Sequence, residues 1–160
     1  MRRLRAAEVV AGLAAVVLLA SLPMTWFEVE VGNLMALALD TTGWAGLGWA
    51  MVAALVLSAL LALALCLAIV FGRSDSPGLV AGIALVVISV PTLLALVIVL
   101  LARPGLGVGL PRGAVSLAPA AWAGVIAMAA VAAGSIASLH NERTTAADRR
   151  YTPPAPRPAP

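Results

Sequence analysis

Residues 26–49, WFEVEVGNLMALALDTTGWAGLGW, are the one long stretch of this chain that is patterned without being simply hydrophobic. After Trp26 the residues alternate, with Phe27, Val29 and Val31 on one side and Glu28 and Glu30 on the other. Gly32 and Asn33 follow, then a second run over 34–39, where Leu34, Ala36 and Ala38 oppose Met35, Leu37 and Leu39. Two such runs around a Gly-Asn pair predict a β-hairpin with a tight primed turn. The segment MALAL also allows a helix over 34–39, so both readings stay open there. A lone hairpin is marginal in water and needs a third strand or a surface to pack on. Residues 102–118, ARPGLGVGLPRGAVSLA, offer one. Leu106, Val108 and Leu110 alternate with glycines, Pro-Arg-Gly makes a turn, and 115–117 is placed to return.

Outside these loops the composition is that of a membrane protein. Of 160 residues, 62% are hydrophobic and 11% charged, with a mean hydropathy of +1.07. A soluble domain is about half apolar and a quarter charged, so most of this apolar surface has to face lipid. One membrane domain over residues 1–143 accounts for nearly the whole length, with spans at about 6–22, 45–71, 78–101 and 119–139. Residues 144–160 are expected to form a disordered, proline-rich cytoplasmic tail. The first apolar run is short and is stopped by Pro23. With Arg2, Arg3 and Arg5 ahead of it, a signal peptide is the competing reading. Against that, the run exceeds a usual signal core, and Leu18 and Ala20 make a poor cleavage site. Glu8 lies one helical step from Arg5, the spacing of an ion pair at headgroup level. In the third run Pro91 predicts a kink over 87–91, with Ser89 and Thr92 near enough to bond the freed carbonyls.

Orientation follows from arginine, which supplies all ten basic residues. Eight lie in the N-terminal segment, the 72–77 turn and the tail; the other two, Arg103 and Arg112, lie in the loop before the fourth run. That bias places both termini in the cytoplasm and loops 1 and 3 outside an inner, cytoplasmic membrane. The fold expected is an all-α membrane protein, a four-transmembrane-helix bundle with a small extracytoplasmic β-sheet or hairpin from loops 1 and 3. A pI near 10.5 would point to nucleic acid in a soluble protein. Here the arginines sit at helix ends, so the partner they imply is the lipid bilayer and not nucleic acid. In the tail the same argument favours anionic inner-leaflet lipid over a proline-binding domain.

The residues that carry chemistry are sparse. One histidine and one cysteine cannot build a conventional metal site, and no phosphate loop, nucleophile elbow or HExxH occurs. No cofactor and no enzymatic activity are implied. No spanning run carries an ionisable side chain away from its ends, which disfavours proton relays and charged-substrate pathways. The candidate interaction surface is therefore the outer loop: Trp26, Glu28, Glu30, Asn33, Asp40, Trp44 and Trp49. Its carboxylates are placed to pair with Arg103 or Arg112. Trp26, Trp44, Trp49 and Trp122 fall at one interface, where aromatic anchoring accounts for them. Gly46, Ala50, Ala54, Ser58, Ala62 and Cys66 recur every fourth residue, and such rows let helix backbones approach closely. With Pro91, and with Gly134 in the fourth span, they are candidate helix-packing positions. The row drifts around its helix, so it serves packing within the bundle first and a homo-oligomer second.

Leu22-Pro23 before Trp26, Thr42-Gly43-Trp44 before the second span, and Arg103-Pro104 ahead of a glycine-bearing loop together resemble small four-helix membrane proteins of actinobacteria. Over residues 1–143 that resemblance implies the architecture and no activity. The architecture is also similar to the claudin type, and WAGLGW at 44–49 resembles that family's Trp-Gly-Leu-Trp element, without its paired loop cysteines. Two function classes follow. One is a structural or interaction protein presenting the outer sheet to a membrane-protein partner or to envelope material. The other is a small transporter or channel subunit with a pathway near Ser89, Pro91, Thr92 and the small-residue faces of the second and fourth spans.

Overall fold

Residues 6–22 are apolar apart from Glu8 and Ser21, and they form the first helix, α1 (Ala6–Ser21). Pro23 cannot continue it, and a turn closes it in which the Met24 N–H donates to the Ser21 carbonyl at 3.0 Å. The chain then extends into strand β1 (Thr25–Val29). The computed structural model describes residues 6–29, 41–71, 76–102 and 115–150. Beyond β1 these comprise β2 (Thr41–Thr42), a single helical turn α2 (Gly43–Gly46), α3 (Trp49–Phe71), α4 (Ser76–Ala102), β3 (Val115–Leu117) and α5 (Pro119–Arg150). Pro119 occupies the first position of α5, where a missing N–H costs nothing.

The long helices form a ring. α1 packs against α3 and α5, α4 packs against the same two, and α3 meets α5 only slightly across the middle. Sequence neighbours run antiparallel, so the end of α1, the start of α3, the end of α4 and the start of α5 gather at one end. The sheet forms there, in the order β2-β1-β3 and antiparallel throughout. Phe27 pairs with Leu117 and Val29 with Val115, and the Ala118 N–H continues the ladder to the Trp26 carbonyl at 3.0 Å. The third strand expected from the second loop is thus present at 115–117. On the other side Thr25 pairs with Thr42 and Phe27 with Thr41, across a bulge. The expected strand over 34–39 and its Gly32-Asn33 turn lie outside the described residues.

Leu18, Leu22, Leu55, Leu65, Leu85, Leu96, Met128 and Val131 fill the interior. The outer faces are equally greasy, with Leu13 and Val17 on α1, Leu57 and Leu60 on α3, Leu94 and Ile98 on α4, and Ile126 and Ile136 on α5 all exposed. Three helices are long and apolar enough to cross a membrane: Trp49–Leu67, Gly82–Ala102 and Pro119–His140. The apolar part of α1, Ala7–Ser21, is shorter. Exposed apolar surface on every side of a bundle fits a protein whose solvent is lipid.

Three features depart from the sequence reading. The second span does not begin at 45: α2 ends after one turn, and Gly48, at φ +76°, breaks the chain direction before α3 starts at Trp49. Only glycine enters that backbone region without strain. α5 does not stop near 139 but runs to Arg150, so residues 144–150, expected in a disordered tail, are helical. Their Ala, Asp and Arg content permits helix, and Pro153 is the first residue that forbids it. Glu8 is turned into the bundle, only 5% exposed, where it was expected at the headgroups beside Arg5. The Cys66 thiol of α3 donates to the Glu8 backbone carbonyl at 3.0 Å, which fixes that turn of α1 against α3. Arg5 lies outside the described residues.

Candidate interaction face at the sheet end

β1 is the centre of the sheet end because two consecutive aromatic residues hold it down. A strand normally buries alternate side chains. Here Trp26 and Phe27 are both fully buried, so the strand is covered on both faces where it meets the helices. The Trp26 indole sits between Gly43 at the start of α2 and Gly124 in α5. A Cβ built on Gly43 would come within 2.9 Å of the ring, and one on Gly124 would collide with its far edge. Its Nε1–H donates to the Ser21 carbonyl at 2.7 Å, so the one polar atom of the side chain is satisfied at the end of α1. Phe27 turns the other way onto Gly46, where a Cβ would likewise overlap the ring. Glycines in α2 and α5 thus make the recesses that receive β1.

Trp26 is therefore a correction to the candidate surface. It is not an interfacial anchor but a core side chain tying α1, α2 and α5 to the sheet. The alternation from Phe27 to Val31 gave the strand, but it could not show that Trp26 also has a recess, because Gly43 and Gly124 are remote in sequence. Glu28 is exposed as expected, on the central strand, with the Ser116 hydroxyl donating to its backbone carbonyl at 3.3 Å. Trp44 is exposed, and Trp49 is the most open large side chain at 85%. Trp122 on α5 is exposed as well. These three tryptophans share the sheet end, the arrangement expected of an aromatic belt. Glu30, Asn33 and Asp40, with Arg103 and Arg112, lie outside the described residues.

The small-residue row divides among different neighbours. Gly46 packs on the sheet rather than on a helix, Ala50 is exposed, Ala54 is half-buried, and Ser58 and Ala62 are buried. At the far end the Cys66 sulfur lies against Gly12 of α1, where a Cβ would come within 2.8 Å. Pro91 is exposed and takes no part in helix packing, and α4 continues through it. Gly134 does make a close approach: a Cβ there would lie 2.9 Å from the Ala7 carbonyl and from the Ala11 Cβ. That seam joins α1 to α5 at the end opposite the sheet.

Besides Glu8, the buried polar side chains of the bundle are hydroxyls, and several of them bond their own helices. Ser58 donates to the Ala54 carbonyl at 2.8 Å, Thr92 to Ile88 at 2.7 Å and Ser135 to Ala132 at 2.7 Å. Thr92 thus bonds the Ile88 carbonyl four residues back and not that of Val87, which the missing Pro91 N–H deprives of its donor, and the buried Ser89 hydroxyl has no partner. Among the described residues no group of three or more His, Cys, Asp or Glu side chains gathers. Comparison with protein-family models, with curated proteins and with solved structures returned no match, so the face is argued from its own geometry.

Proposed function

We propose that this chain is a multi-pass protein of the cytoplasmic membrane whose work is done by the face at its sheet end, as a structural or interaction protein and not as an enzyme. In this reading α1, α3, α4 and α5 all cross, both termini are cytoplasmic, and the sheet lies outside. The arginine bias supports the orientation. The packing of α1 between α3 and α5 supports its counting as a fourth span.

The observation that carries the reading is the closed sheet end. Trp26 and Phe27 wedge β1 into glycine recesses above an interior filled by Leu18, Leu22, Leu55 and Met128. A transporter or channel subunit needs a polar route through such an interior. Ser58, Thr92 and Ser135 instead bond their own helices, leaving the Ser89 hydroxyl in α4 and Glu8 near the start of α1 as separate buried polar groups among apolar neighbours. What the wedge provides is a firmly held platform carrying Glu28 outward, with Trp44 and Trp49 at its rim.

A photocrosslinking residue at Glu28, compared with one at Ile98 on the lipid face of α4, tests this in cells. The expected result is a discrete protein adduct from position 28, lipid adducts alone from position 98, and no ion flux in proteoliposomes. An adduct of twice the chain mass identifies the partner as a second copy. Flux that Ser58→Ala alters, with no adduct at position 28, contradicts the reading and favours the pathway.

A further inference from the structure

We infer, on the membrane reading just given, that the bilayer touching α1 is thinner than the bilayer touching α4, so that the α1 face takes lipids of shorter acyl chain. α1 has 16 residues, which at 1.5 Å per residue is about 24 Å. Its apolar run cannot be extended, since Arg5 precedes it and Pro23 follows it. A typical hydrocarbon core is about 30 Å thick. α4 has 27 residues, about 40 Å, and its exposed row from Ile83 to Leu101 alone covers about 27 Å.

A helix that is too short gains nothing by tilting, so it has to slide, draw its flanking residues toward the interface or thin the lipid beside it. Sliding is closed to α1 because it is fixed at both ends. At the sheet end the Ser21 carbonyl accepts from Met24 and from the Trp26 indole, which is itself held between Gly43 and Gly124. At the other end Cys66 bonds the Glu8 carbonyl, and Gly134 lies against Ala7 and Ala11. α1 therefore keeps the depth its neighbours impose, and the lipid adjusts.

Local chain-length preference is measurable by quenching with brominated lipid. Single-cysteine variants Leu13→Cys on α1 and Leu94→Cys on α4, both in a Cys66→Ser background that keeps a hydroxyl donor for the Glu8 carbonyl, place a fluorophore on exposed faces about 12 Å below the sheet end. Val17→Cys and Ile98→Cys, each exposed and about 6 Å below the sheet end, form a second pair should one site perturb folding. In phosphatidylcholine mixtures from di-14:1 to di-22:1, the α1 labels should select di-14:1 or di-16:1 over di-20:1 by about twofold or more. The α4 labels should show no such selection, or the reverse. The same chain-length preference on both helices overturns the inference while leaving the membrane reading intact. No quenching at any label overturns the membrane reading and the inference with it.

Discussion

Trp26→Ala removes the side chain that joins three helices to the sheet, and its cost follows from the surroundings. The indole is fully buried, so truncation leaves a void, and the two glycines that flank the ring have no side chains to fill it. Trp→Ala changes in packed interiors cost about 3–5 kcal/mol. The lost hydrogen bond is a minor part, because the Ser21 carbonyl keeps the Met24 N–H at 3.0 Å and is not left unpaired. Trp26→Phe, which keeps most of the ring volume, should therefore cost only about 1–2 kcal/mol. For a chain of this size each kcal/mol moves the midpoint by about 2–4 °C, so Trp26→Ala should lower the Tm in detergent by about 6–20 °C. Trp49→Ala, at an 85% exposed position, should stay within about 2 °C of the parent. If the two alanine variants melt together, Trp26 is an interfacial anchor like the others and the wedge account is wrong.

The other contacts give sharper local tests. Gly46→Ala forces a methyl into the Phe27 ring and should cost about 1–3 kcal/mol, and Phe27→Leu should recover part of that in the double variant, measured as a coupling between the two unfolding midpoints. Gly134→Val should weaken the α1–α5 seam by a similar amount, whereas Ala133→Val, one residue away on the exposed side, should change the Tm by no more than a degree or two. Ser89→Ala removes a buried hydroxyl without a partner and should be neutral or stabilising, while Thr92→Val loses a 2.7 Å bond and should cost about 0.5–1 kcal/mol in the same melt.

The sequence carried the large features because they depend on composition and period. Greasy runs bounded by arginine or proline mark α1, α3, α4 and α5. Alternation after Trp26 marks β1, and the Val-Ser-Leu at 115–117 marks the strand that returns beside it. What it could not carry depends on residues far apart in the chain. Trp26 looks like its three exposed counterparts until Gly43 and Gly124 are seen on either side of the ring. The row from Gly46 to Cys66 looks continuous, yet the break at Gly48 puts Gly46 on α2 against the sheet, and within α3 each step of four turns by more than a full circle, so Ala50 is exposed while Cys66 meets α1. Glu8 sits where a headgroup residue belongs by position, and only the packing of α1 against α3 shows that it faces inward. The break at Gly48 was missed although it has a local signal, a Gly-Leu-Gly run just inside a predicted helix start, and so was the helix over 144–150, which no proline interrupts before Pro153.

The central claim is that the sheet end and residues 72–75, which connect α3 to α4, lie on opposite sides of a membrane. Glu28→Cys and Ser74→Cys, each in a Cys66→Ser background that keeps a donor for the Glu8 carbonyl, report it directly through a membrane-impermeant maleimide applied to intact cells and then to permeabilised ones. The account predicts that position 28 is labelled in intact cells and that position 74 is labelled only after permeabilisation. Labelling of position 74 in intact cells, or of both positions from the same side, would contradict it.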